Sequence, residues 1–234
     1  MLDDVWRLEE YRRIVQKILE AFNNVPFPII VEVATNKKVV PIDIHKNEDK
    51  FLIRDLATLA DIIVLEFNKD PIDKSKYGEI RGKVPKNFRP NEVSIYLEYV
   101  FPKIFNENKD KFKVIKNVEH LTKTGYPDEK VTDVYGRTTF IEIKATTRPN
   151  EGSPRDFFFT PLENTKDKIS DNGRHILLGF VIKEVEPKVF KTVGWKIVDL
   201  SKIYVSMKPE FNADNRELYK NDALIAENWV EALK

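Results

Sequence analysis

The stretch that decides the fold runs Gly125-Tyr126-Pro127-Asp128, then Glu129-Lys130-Val131-Thr132-Asp133-Val134, a Tyr135-Gly136 turn and Arg137, then Thr138-Thr139-Phe140-Ile141-Glu142-Ile143-Lys144-Ala145. β-Branched and aromatic residues fill both halves and a glycine sits between them, which predicts a hairpin with strands over about 128–134 and 138–145. Side chains alternate along a strand, so Glu142 and Lys144 share one face while Ile141, Ile143 and Ala145 occupy the other. A turn of two or three residues around Gly136 sets Glu142 opposite Glu129 or Asp128, and Asp128 then reaches the same spot. Asp133 competes for that role, but it lies beside the turn, roughly 15 Å from Glu142 at ~3.4 Å per residue. Asp128 is the better candidate.

Two carboxylates and an ammonium in one place suit a definite chemistry. Cleaving a phosphodiester needs charge neutralisation on the scissile phosphate, a water aligned behind phosphorus, and stabilisation of the leaving oxygen. Asp128 and Glu142 can hold Mg²⁺, with Mn²⁺ as a substitute, and Lys144 can contact the phosphate and orient or activate the water.

Working outward, the apolar positions Val93, Leu97, Val100 and Ile104 mark a helix over 91–106, with Asn91 as its cap and Pro102 as a kink. A short strand follows over 112–118. Beyond the hairpin, Thr160-Pro161-Leu162-Glu163 reads as a capping box opening a helix that stops at Asn172-Gly173. The nearly all-apolar run 175–182 then reads as a strand buried on both faces. The order is helix, strand, strand, strand, helix, strand.

Pro127-Asp128 and Glu142-Ile143-Lys144, set in that order of elements, resemble the PD-(D/E)xK nuclease superfamily, and in particular type II restriction endonucleases. The resemblance covers approximately 91–182 and implies an α/β fold: a restriction-endonuclease-like core, a central mixed sheet of four to five strands flanked by helices, with N- and C-terminal additions. It further implies that Asp128 and Glu142 bind the divalent ion together with the backbone carbonyl of Ile143, and that Lys144 assists the water. The family often adds a glutamate from the preceding helix, for which Glu98 is the match; a solvated helix charge is its alternative. The implied activity is Mg²⁺-dependent, sequence-specific cleavage of double-stranded DNA by a homodimer. A structure-specific repair or recombination nuclease and a non-catalytic DNA-binding protein are the other readings.

The flanks suit a sequence reader. The loop over 146–159 leaves the catalytic strand just past Lys144, and its Arg148 and Arg155 can contact phosphates or the acceptor pair of guanine; ordinary surface arginines are the plain alternative. Leu8, Tyr11, Val15, Ile18 and Phe22 recur at three- and four-residue spacing, the seam of an amphipathic helix over 4–23 that packs within the chain or against a second copy. Another helix is expected over 52–67, and the proline- and charge-rich stretch 70–90 reads as a loop. The segments 194–200 and 210–215 are similar in style to restriction enzymes, or else are further sheet and a turn-rich loop. The expected division is 1–90, a helical arm region packing on the core; 91–205, the nuclease core; and 206–234, an extension with a helix.

Composition narrows the alternatives. The 234 residues carry no cysteine and three histidines. Thiolate chemistry is excluded and a metal must rely on carboxylates, whose hard oxygens suit Mg²⁺ or Mn²⁺. Thirty-nine basic residues offset thirty-eight acidic ones, so the chain as a whole lacks the basic character of many nucleic-acid binders. Between residues 109 and 150, however, nine Lys/Arg face six Asp/Glu, a local excess compatible with a basic cleft. No apolar run of about 18 residues and no charged-then-apolar leader appears, so the cytoplasm is the expected location, away from membranes.

Overall fold

The computed structural model describes residues 2–21, 24–122, 125–147 and 163–206. The elements in chain order are α1 (Leu2–Ala21), β1 (Val25–Pro26), α2 (Phe27–Thr35), α3 (Asn47–Lys69), α4 (Lys74–Arg81), α5 (Pro90–Glu107), β2 (Ile115–His120), β3 (Glu129–Asp133), β4 (Thr138–Thr146), α6 (Glu163–Lys168), β5 (Gly173–Glu186), β6 (Val189–Asp199) and β7 (Tyr204–Val205). Residues 25–205 form one compact unit, and α1 belongs to a second, smaller one.

Within the larger unit, β2-β3-β4-β5-β6 make a five-stranded sheet in sequence order. β4 and β5 run parallel and every other pair is antiparallel. The expected mixed sheet flanked by helices is therefore present. Its central strands are buried on both faces, as a parallel pair covered on either side must be.

The two faces of β4 feed different cores. Ile141, Ile143 and Ala145 pack with Leu52, Leu56 and Leu59 of α3 and with Leu97 and Phe101 of α5. Phe140, on the opposite face, packs with Phe27 and Val31 of α2, Tyr126, Ile169 and Leu200. Full burial of each such side chain contributes about 1.5–3 kcal/mol, so the alternation that sorts apolar residues also fixes which face carries Glu142 and Lys144. They lie on the Phe140 face.

Several boundaries differ from the sequence expectation. α5 begins at Pro90, with Arg89 as the N-cap in place of Asn91: proline is preorganised for the first helical turn, and the Glu92 carboxylate accepts the Arg89 backbone N–H at 2.8 Å. The stretch expected as loop holds α4, because Asp73 accepts from the backbone N–H groups of Ser75 and Lys76 and Gly82 closes the helix at φ 65°. α2, which the sequence reading passed over, has Pro26 as its N-cap and Pro28 in its first turn. The segment 194–200 is further sheet, the second half of β6. α6 ends at Lys168, and residues 160–162 of the expected capping box lie outside the described residues, as does 210–215.

A buried carboxylate ties the sheet edge to α3. Asp55, 3% exposed, accepts the backbone N–H groups of Val114 and Ile115 at 2.7 and 3.0 Å. Asp55→Ala strands both donors and is expected to cost about 3 kcal/mol, read as a lower urea midpoint at unchanged slope. A midpoint equal to that of the parent contradicts this account of the edge.

In the smaller unit, Leu8, Tyr11, Ile14, Val15 and Ile18 of α1 are exposed. No helix among the described residues is long and apolar enough to cross a membrane.

Candidate active site

The β3–β4 ladder ends at the pair Glu129–Ile141; a regular continuation would set Asp128 opposite Glu142 and Pro127 opposite Ile143. The ladder becomes irregular at this step. The Asp128 N–H donates to the Ile141 carbonyl at 3.0 Å, and the Ile143 N–H donates to the Asp128 carboxylate, Oδ2, at 2.8 Å. A side chain thus replaces the Pro127 carbonyl as the acceptor for Ile143. The substitution bends the Asp128 carboxylate onto β4, beside the Ile141-Glu142-Ile143 backbone.

Glu142 is 3% exposed. Its Oε1 accepts from Lys144 Nζ at 2.5 Å, while its Oε2 is buried with no hydrogen-bond partner. Lys144 is half-buried on the same face, two residues further along the strand. Glu98 projects from α5, which is anchored to β4 where the Ala145 N–H donates to Ser94 Oγ at 2.6 Å.

The electrostatics tie these groups together. Burial, and then the Asp128 charge, push the Glu142 carboxyl up to about 7. Burial and Asp128 push Glu98 up to about 8. Burial raises Asp128 also, against the opposing Ile143 N–H, Lys144 and Lys168. For Lys144, burial disfavours the charge but the surrounding carboxylates outweigh it and hold the ammonium above its ordinary range. Three carboxylates, Glu98, Asp128 and Glu142, therefore face two ammonium groups, Lys144 and Lys168, and a further cation is what this buried set lacks. The oxygen-only donors and the unpaired Glu142 Oε2 fit a hard divalent ion. Among the described residues no three His, Cys, Asp or Glu side chains converge on one ligating point. Two carboxylates and a backbone carbonyl make no such demand.

The pH dependence follows with a definite sign. Glu142 and Glu129, each raised to about 7, and Glu98, raised to about 8, bind protons in the folded protein that the unfolded chain releases near 4.5. Their contribution to stability is complete below that value and is lost as pH rises through the folded values. His175, held down to about 3 by burial, acts in the opposite sense, against those three and the likewise raised Asp128 and His120. The metal-free protein is expected to lose roughly 5 °C or more in Tm between about pH 5 and about pH 8, with Mg²⁺ restoring most at the alkaline end. Thermal melts in EDTA check this, and a Tm that stays level or rises contradicts it.

The structure also places residues that the sequence reading passed over. Asp133 is occupied elsewhere, bonding Arg137 Nε at 2.6 Å and the backbone N–H groups of Tyr135 and Arg137. Glu129, fully buried on the face opposite Glu142, pairs with His120 Nδ1 at 2.7 Å. Lys168, 5% exposed at the end of α6, donates to the carbonyls of Gly125 and Pro127. No periodicity or motif announces Lys168, since its partners are backbone atoms in a distant loop. Arg148 and Arg155 lie outside the described residues.

Residues 21–222 match the type II restriction enzyme MjaV family. The chain belongs to that family. Its sequence is 35% identical over 235 residues to the type II restriction enzyme MjaV of Methanocaldococcus jannaschii, an alignment covering 97% of this chain and 98% of the other. A member of the MjaV family is a type II restriction enzyme, a site-specific deoxyribonuclease, and the hairpin carboxylates belong to a protein with that activity.

Proposed function

We propose that this restriction enzyme cleaves DNA by the chemistry of the PD-(D/E)xK nucleases, with Mg²⁺ held by Asp128, Glu142 and the backbone carbonyl of Ile143. The observation that carries the reading is the Asp128 carboxylate held on the Ile143 N–H of the strand that carries Glu142, with the Glu142 Oε2 buried and unpartnered and its Oε1 bonded to Lys144. The bound ion supplies charge neutralisation on the scissile phosphate and acidifies water.

The chain's own residues do the rest. Asp128, fixed by the Ile143 N–H, presents its carboxylate without freedom to rotate away, and little reorganisation is needed when DNA arrives. Lys144 moves its ammonium from Glu142 to the phosphate, donates hydrogen bonds there and orients the attacking water in line with the leaving oxygen. Glu98, in its raised protonation range, accepts the water's proton or ligates through its carboxylate. Arg148 and Arg155, on the segment following β4, contact the DNA as it leaves the catalytic strand.

The substrate is double-stranded DNA, and the working form in this reading is a homodimer whose twofold axis matches a palindromic site. The exposed apolar seam of α1 supports a contact between copies. In this reading residues 91–205 carry the nuclease activity, with 1–90 and 206–234 as additions to them, and the enzyme works in the cytoplasm. Incubation with phage DNA and Mg²⁺, followed by sequencing of the ends, tests the proposal. Discrete fragments sharing one terminal sequence, produced only when divalent ion is present, are expected; cleavage in EDTA contradicts it.

A further inference from the structure

We infer that Lys168 is a positioning residue for the reaction: by clasping the Gly125 and Pro127 carbonyls it keeps the Pro127 carbonyl out of the hairpin ladder and so turns the Asp128 carboxylate toward Glu142. The inference rests on the reading of Asp128 as a metal ligand.

Hydrogen-bond partners are exchanged at this step of the hairpin. In an uninterrupted antiparallel ladder the Ile143 N–H would seek the Pro127 carbonyl, two steps beyond the Glu129–Ile141 pair. That carbonyl instead accepts from Lys168 Nζ at 2.7 Å, and the same ammonium bonds the Gly125 carbonyl. The Ile143 N–H, deprived of its backbone acceptor, takes Asp128 Oδ2 at 2.8 Å. A buried N–H left unpaired is costly, so drawing off one acceptor obliges the next to move in. Asp128 is the only side chain that does so here.

Lys168 is well placed for this work. It lies on α6, behind the Phe140 face that carries Glu142, with Ile169 packed against Phe27, Tyr126 and Phe140. Only 5% of it is exposed, and its ammonium bonds the carbonyls of exposed Gly125 and buried Pro127. Tyr126, between the two clasped carbonyls, is pinned from its other end by the hydrogen bond between its hydroxyl and His175 Nδ1 at 2.6 Å. The 125–127 segment is therefore fixed at both its backbone and its one large side chain, and Asp128 is the next residue. The clasp thus links the helix that follows the catalytic hairpin in the chain to the ligand at the hairpin's start.

Removing the ammonium acts in two opposite directions on cation binding, and the sign separates them. If Lys168 contributes only its charge, Lys168→Met leaves the carboxylates more negative and tightens Mn²⁺ binding. If it positions Asp128, the variant binds Mn²⁺ ~10-fold or more weakly, the usual scale for a residue supporting a metal ligand. Mn²⁺ titration of the full-length protein without DNA, followed by electron paramagnetic resonance of the free ion, measures this directly. A double-mutant cycle with Asp128→Asn supplies the second readout: with the ligand already lost, Lys168→Met is expected to change Mn²⁺ affinity no further. Lys168→Gln, neutral and of similar reach, carries the same cycle should the methionine variant fail to fold. Unchanged or tighter Mn²⁺ binding in the Lys168 variant, alongside weakened binding in Asp128→Asn, overturns the positioning role. Full Mn²⁺ affinity in Asp128→Asn itself overturns the ligand assignment instead.

Discussion

Glu142→Ala is expected to reduce DNA cleavage by about 1000-fold or more, an increase in barrier of about 4 kcal/mol. The residue has an oxygen both buried and unpartnered, as Glu129 has on the opposite face, but Glu142 is the one that bonds Lys144. Alanine removes that oxygen together with the acceptor for Lys144, so the variant loses a ligand and frees an ammonium. Folding is expected to survive. A buried carboxylate raised to about 7 destabilises the metal-free protein in neutral and alkaline solution, so its removal relieves a cost and leaves only a small cavity. Mn²⁺ titration and single-turnover cleavage, measured on the same preparation, check the two losses. A variant that cleaves within ~10-fold of the parent at saturating Mg²⁺ removes Glu142 from the reaction.

Lys144→Ala is expected to cost cleavage on a similar scale, about 100- to 1000-fold, by a different route. Its ammonium bonds Glu142 Oε1 at 2.5 Å and competes with a cation for that oxygen. Without it, Mn²⁺ binding in alkaline buffer, where Glu142 and Glu98 are ionised, is expected to equal or exceed that of the parent. Loss of turnover with retention of the metal is the signature of a group that acts on phosphate and water. Parallel losses of both in this variant assign Lys144 a supporting part in the ligand set instead. With Ca²⁺ in place of Mg²⁺, DNA binding by the Glu142 and Lys144 variants separates recognition from chemistry.

The parts of this site that the sequence displays are those governed by local rules. The alternation of Ile141-Glu142-Ile143-Lys144-Ala145 sets the two charges on one face because strand geometry admits nothing else, and the Tyr135-Gly136 turn sets the register across the hairpin to within one residue. Asp128 is legible for the same reason, whereas its departure from the ladder is not. That departure depends on where the Pro127 carbonyl goes, and its partner Lys168 arrives from forty residues further along the chain, within α6. The anchoring of α5 by Ser94, and the pairing of Glu129 with His120, are likewise contacts between elements that carry no periodic mark. Helix ends misled where two capping residues stood close together: Asn91 is a good cap by type, but Pro90 already occupies the first turn. α4 was hidden because Ser75, Tyr77 and Gly78 are weak helix formers, and Asp73 carries the helix start through its side chain.

The most direct test of the account is the position of the ion itself. Crystals of the protein grown with Mn²⁺ and DNA bearing its recognition site, with data collected at the manganese edge, locate the metal by anomalous scattering. The account predicts a peak about 2.1 Å from a carboxylate oxygen of both Asp128 and Glu142, and from the Ile143 carbonyl. A protein whose manganese peak stands beyond reach of Glu142, with DNA in place, contradicts it.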